Sequence, residues 1–147
     1  APPFSISQMK FYALALFSLM QNLNDIPPSQ ACTFFTETQV DIAKRVEKII
    51  TSDLRQHHPA WELAAQFSVS ETSLKNYFRG VFGQNISFYL RECRMKRAAE
   101  LLVSTTRSVA EIAEQVGYMN QSKFALVFKK RFSMSPLEYR RYRNLNS

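Results

Sequence analysis

The chain has 147 residues, 46% apolar and 13% aromatic, the composition of a folded domain. Three glycines, two histidines and two cysteines leave no Gly-rich phosphate loop and almost nothing for a transition-metal site. No metal, cofactor or enzymatic activity is therefore expected. Net charge is +7, unevenly placed: residues 1–40 hold only Lys10, Asp25 and Glu37, whereas residues 41–147 hold 18 basic and 10 acidic side chains, or +8. A basic region behind a neutral leader points to an anionic partner, nucleic acid or a lipid surface.

Cys32 and Cys93 share no spacing pattern, so free thiols in a reducing, cytoplasmic compartment are expected. Ala1 is not an initiator methionine, and no basic start precedes an apolar core. The sequence reads as a piece of a longer or processed chain without a secretory leader. Phe11–Met20 is uncharged but too short to span a bilayer, and no membrane partner is expected.

In chain order, Ser5–Leu23 reads as a helix apolar nearly all round, which calls for a partner surface. Asp25-Ile26-Pro27-Pro28-Ser29 stops it and opens a linker over 25–35. A second helix is predicted from Glu37 to Leu54, with Thr36 and Gln39 spaced as a capping box. Pro59 opens a short helix to Phe67, and Ser68-Val69-Ser70 turns into a helix over Glu71–Phe82, stopped by Gly83. Asn85 or Ser87 starts a longer helix reaching Val103. Ser108 and Glu111 cap a short helix to Val116, ended by Gly117. Asn120 caps a helix to Phe132, and Ser135-Pro136-Leu137-Glu138 starts a last one to Tyr142. No segment alternates in the strand manner, so the chain is all-α.

Two stretches repeat. Glu62-Leu63-Ala64-Ala65-Gln66 matches Glu111-Ile112-Ala113-Glu114-Gln115, 49 residues later. After a turn one residue longer, the offset becomes 50. Leu74 then pairs with Phe124, Phe78 with Phe128, Phe82 with Phe132 and Tyr89 with Tyr139. Each copy is short helix, tight turn, longer helix, the helix-turn-helix pattern whose second helix enters the DNA major groove. A connecting helix over Ile86–Val103 would be about 27 Å long. It can hold two reading helices roughly one DNA turn apart, on the order of 34 Å. A monomer could then enter two successive major grooves.

The pattern resembles the DNA-binding domain of the AraC/XylS family of bacterial transcription regulators over residues 38–142. The most specific stretch runs Ser108-Val109-Ala110-Glu111-Ile112-Ala113-Glu114-Gln115-Val116-Gly117-Tyr118, then Phe124 and Phe128-Lys129-Lys130-Arg131-Phe132, to Ser135-Pro136-Leu137-Glu138-Tyr139-Arg140. Ser133 departs from the glycine usual there. The resemblance implies two helix-turn-helix subdomains joined by a long connecting helix over 36–147. Residues 1–35 would be the remnant of a sensor or dimerisation domain, whose helix packs on that missing domain or on another copy of the chain. It also implies double-stranded DNA, and RNA polymerase, as partners.

In the first motif Leu74, Phe78, Val81 and Phe82 form the inward stripe of the reading helix. Thr72, Ser73, Lys75, Asn76 and Arg79 lie on the other side. Asn can pair with adenine by two hydrogen bonds, and Lys or Arg with guanine. The 50-residue offset gives Gln121, Ser122, Lys123, Ala125, Leu126 and Lys129 in the second motif, followed by Lys130 and Arg131. Gln121 and Ser122 are candidates for base edges, Lys129 and Lys130 for phosphates. Leu126 either meets a thymine methyl or packs internally.

Plainer roles fall to other residues. Arg94 is expected to be a half-buried structural arginine, Trp61 a core residue or else a contact to the DNA backbone, His57-His58 an exposed loop and Cys93 a packed thiol. Arg140, Arg141 and Arg143 read as a solvated end or an extra phosphate patch. The competing function class is a helical protein-interaction or membrane-surface module without sequence-specific DNA binding.

Overall fold

The structure, a computed structural model, describes residues 35–145. Among them the chain forms seven helices and no strand: α1 Glu37–Ser52, α2 Ala60–Gln66, α3 Glu71–Phe82, α4 Ile86–Ser104, α5 Val109–Gln115, α6 Gln121–Phe132 and α7 Pro136–Leu145. The expected helix over Ser5–Leu23, and nearly all of the unit over 1–35, lie outside the described residues.

Side-chain caps set the helix starts. Thr36 and Gln39 close the predicted box on α1, at 3.0 and 3.3 Å. Ser108 and Glu111 do so on α5 at 2.7 and 3.2 Å, and Ser135 and Glu138 on α7 at 2.7 and 3.3 Å. Ser70, Asn85 and Asn120 accept from the N3 backbone of α3, α4 and α6. The stops of α3 and α6 are alike: Gly83 at φ +72° and Ser133 at φ +59° are both left-handed, each donating back to a carbonyl at 2.8 Å. Ser133 thus adopts the turn that glycine would. α1 ends at Ser52, short of Leu54, because the Thr51 and Ser52 hydroxyls donate to the Glu47 and Ile49 carbonyls at 2.8 and 2.7 Å and Asp53 is extended.

Two cores result, and α4 serves both. Val46 and Ile50 of α1, Leu63 and Ala64 of α2, and Leu74 and Phe78 of α3 are buried together, with Ile86, Tyr89 and Leu90 of α4 packed on them. Met95, Ala98, Ala99, Leu101 and Leu102 of α4 are buried with Ile112, Val116, Phe124 and Phe128. The repeat seen in the sequence recurs in the packing. Phe78, Phe82 and Tyr89 stand 4.6, 5.4 and 5.1 Å apart between ring centres, and Phe128, Phe132 and Tyr139 stand 4.6, 5.4 and 5.2 Å apart. Tyr89 also donates to Glu47 at 3.0 Å; burial, then that carboxylate, push its hydroxyl up to about 12.

A second correspondence was not visible in sequence. Arg94 of α4 donates through Nε to the Leu54 carbonyl at 2.9 Å and through Nη2 to that of Gln56 at 3.3 Å, beyond the end of α1. Arg140 of α7 donates to the Leu102 carbonyl at 2.9 Å and to that of Arg107 at 2.6 Å, at and beyond the end of α4. Each subdomain is thus tied by an arginine of its last helix to the carbonyl end of its first. Arg94 is the structural arginine expected. Arg140 is a clamp and not part of a solvated end. Trp61 corrects a second expectation: it is 64% exposed, because Leu63, Ala64 and Phe67 make the inward stripe of α2. His57 is exposed and His58 half-buried. Cys93 is a free, half-buried thiol that burial pushes up.

Candidate nucleic-acid interface

α3 is held by its apolar stripe. Leu74 and Phe78 are fully buried, Phe82 packs on the same core, and Val81 is half-buried. The opposite face presents Thr72, Lys75, Asn76 and Arg79, all exposed. Ser73 differs: it is half-buried, its backbone N–H donates to Ser70 Oγ at 3.1 Å, and its hydroxyl accepts from Ser70 at 2.8 Å. It belongs to the helix cap as much as to the outer face. Lys75 forms an ion pair with Glu71 one turn earlier. On another flank of α3, the Phe35 ring lies over Gly80, where a Cβ would stand 1.9 Å from it, and its edge meets Tyr77 at 6.2 Å.

α6 repeats this placement with other chemistry. Phe124 and Phe128 are fully buried. Gln121, Ser122, Lys123, Leu126, Lys129 and Lys130 are all exposed, and Ala125 is half-buried. Leu126 is 72% exposed, so of its two readings internal packing drops out. Among the described residues, no carboxylate lies within salt-bridge distance of Lys123, Lys129 or Lys130. Arg131 turns aside to Glu92 of α4 at 2.6 Å. α6 carries four basic residues and no acid, whereas α3 carries Glu71 with Lys75 and Arg79.

Two exposed side chains were missed from sequence. Met119 is 97% exposed in the turn that precedes α6, and Trp61 is exposed on the first turn of α2. The signal for Met119 was the extra residue in the second turn. For Trp61 no local signal outweighs the habit of burying tryptophan.

Outward-facing polar and basic groups on the second helix of each motif suit a groove lined by phosphates and base edges. Fold and faces together define a double helix-turn-helix DNA-binding domain. The helix-turn-helix domain family matches residues 63–142. The HTH-type transcriptional activator RhaR of Mannheimia succiniciproducens is 38% identical over 79 residues, 54% of this chain and 29% of that protein. The lactose operon transcription activator of Staphylococcus xylosus is 26% identical over 132 residues, 90% of this chain and 47% of that protein. The solved C-terminal domain of AraT, a response regulator from Geobacillus stearothermophilus, is 36% identical with a TM-score of 0.66, over 69% of this chain and 85% of that one. The chain belongs to the helix-turn-helix domain family, in its AraC-type branch. It spans less than half the length of these two curated relatives. No helix among the described residues is long and apolar enough to cross a membrane.

Proposed function

We propose that the chain binds double-stranded DNA sequence-specifically as a monomeric unit, with α3 and α6 in two successive major grooves on one face, and thereby regulates transcription. The observation that carries this reading is the repeated outward face on α3 and α6, held on the 19-residue helix α4. At 1.5 Å per residue α4 is about 28 Å long, close to the one-turn separation of neighbouring grooves. In this reading Thr72, Lys75, Asn76 and Arg79 meet base edges and phosphates of the first half-site, with Ser73 at their margin. Gln121, Ser122, Lys123 and Leu126 face bases of the second, and Lys129 and Lys130 its phosphates. The role is binding, not catalysis, and it belongs in the bacterial cytoplasm beside the chromosome. Relatives named as transcription activators support RNA polymerase as a further partner. Residues 1–35 would tie the domain to a sensor domain or to another copy of the chain.

Selection of bound duplexes from a random library, followed by footprinting, tests the reading. The protected site should cover two neighbouring major grooves on one face. With roughly 6–10 phosphate contacts, affinity should fall by about 10³–10⁵ between about 50 and about 200 mM salt. A flat salt titration, or no binding to any duplex, overturns it.

A further inference from the structure

The two arginine clamps are chemically alike but differently placed. Arg140 joins α7 to the end of α4, inside the second subdomain. Arg94 stands in the middle of α4, where the two subdomains meet. Its guanidinium chelates carbonyls of the α1–α2 loop and lies over the Tyr118 ring, 5.8 Å from its centre, in the turn between α5 and α6. Gly117 completes the junction. A Cβ there would stand 2.4 Å from the Leu54 carbonyl oxygen and 3.0 Å from the Arg94 guanidinium, so backbone of the second motif rests directly on the loop of the first.

Among the described residues, the extensive helix packing runs within each subdomain. α1 and α2 each pack on α3, and α1 and α3 on α4; α5 and α7 each pack on α6, and both also on α4. Beside the junction, between Thr51–Arg55 on one side and Arg107, Glu111 and Gln115 on the other, lies an open polar cleft of about 810 Å³. The pair Arg131–Glu92 is partly exposed and screened by solvent. A shared helix fixes how far apart two motifs sit along its axis. Through the α4 residues packed into each core it also sets their mean rotation about that axis, and lateral contacts such as Arg94 hold that angle against twisting and bending.

We propose that Arg94 is a positioning residue that holds the relative orientation of α3 and α6, and so the half-site spacing the domain accepts. This rests on the two-groove reading above. The guanidinium suits the task because two donors in one plane fix both a direction and a distance, which an ammonium on a flexible stem does not.

The test compares the full chain with Arg94→Met, Arg94→Lys and Arg140→Met on its selected duplex, on that duplex with one base pair inserted or deleted between half-sites, and on a single half-site. The wild type should lose on the order of 10²-fold in affinity with either spacing change, since two rigidly joined contacts cannot then form together. Arg94→Met should bind the half-site as the wild type does but lose only about threefold on the shifted duplexes, from a weaker optimum. Arg94→Lys should restore part of the sharpness. Arg140→Met has lost an equal chelate that joins α7 to α4 within the second subdomain and does not cross to the first. It should unfold more easily yet keep the wild-type spacing profile. Where Arg94→Met unfolds, Arg94→Lys carries the comparison. Equal sharpness in Arg94→Lys and wild type then overturns the proposal. Equal sharpness in Arg94→Met and wild type, or the same broadening in Arg140→Met, also overturns it. A wild type with half-site affinity at every spacing instead refutes the two-groove reading, and this inference with it.

Discussion

α3 turns four hydrogen-bonding side chains outward and holds one of them, Lys75, against an acid; α6 turns an exposed leucine and three lysines outward, with no carboxylate of the described residues in salt-bridge distance of them, and carries no acid. Their inner faces are nearly superimposable in spacing, down to the two aromatic triads. The packed frame is the same in both copies of the repeat, and the outward side differs. A base pair read by two hydrogen bonds discriminates by about 1–3 kcal/mol, whereas an apolar side chain mainly senses the thymine methyl. The first motif should therefore set sequence preference, and the second should supply affinity.

The largest effects should not distinguish the motifs at all. Phe78 and Phe128 are both fully buried, at matching places in the triads. Truncating either to alanine should cost about 3–5 kcal/mol in urea unfolding. A difference between the two variants of more than about 2 kcal/mol would show that the repeat is not energetic as well as geometric.

The reading faces come next. Asn76→Ala should relax specificity at one base pair of the first half-site by about 1–3 kcal/mol, measured against single-base changes of the selected duplex. Leu126→Ala should matter only where a thymine faces it. Stronger discrimination in the second half-site than in the first would reverse the assignment. Lys129→Ala should weaken all sequences alike and make the salt slope shallower by about one unit. Lys75→Ala should change the slope less, since Glu71 already balances that charge in the free protein.

The C-terminal stops allow a finer comparison. Nothing lies within 4 Å of a Cβ added at Gly83, so the left-handed backbone alone penalises a side chain there. Ser133→Gly should stabilise by on the order of 1 kcal/mol, and Gly83→Ala should destabilise by about as much. Thermal unfolding checks both.

Caps and stops made the helices legible, because each depends on residues close in sequence, and the 50-residue offset made the repeat legible, because it needs only the chain compared with itself. All seven described helices were expected, with ends shifted where a local rule competed: the Thr51 and Ser52 hydroxyls shortened α1. The outward faces of α3 and α6 were legible for the same reason, since helical spacing sorts inside from outside. What sequence could not supply was tertiary. Arg140 looked like one more base in a basic tail until its partners, Leu102 and Arg107, more than 30 positions away, were placed beside it. Trp61 sits on a helix of seven residues, too short for spacing to choose its face. The role of Ser73 in the cap was masked by Ser70, which satisfies the same rule alone.

The smallest difference between the subdomains is their response to acid. The capping box of α1 uses Gln39, which does not titrate, whereas those of α5 and α7 use Glu111 and Glu138. Hydrogen bonds from the Ser108 hydroxyl and backbone hold the Glu111 carboxyl below its ordinary value; those from the Ser135 backbone and hydroxyl do the same for Glu138. A depressed carboxyl pKa means the folded state binds its proton less readily than the unfolded state. The stabilisation is therefore complete above the ordinary glutamate range and is lost as pH falls through the lowered value. In the first subdomain only Asp53, lowered chiefly by the Arg55 backbone N–H, behaves this way among the acids with a resolved shift. Unfolding midpoints in urea from about pH 6 to about pH 3 should thus decline, and the double variant Glu111→Gln with Glu138→Gln should flatten more of that decline than Asp53→Asn. Glutamine keeps an oxygen for the serine N–H but carries no charge and cannot take up the proton, so near-neutral stability should fall by about as much as the flattened part of the acid limb. An acid limb as steep in the double variant as in the wild type would locate the sensitivity elsewhere, and the two subdomains would then share it.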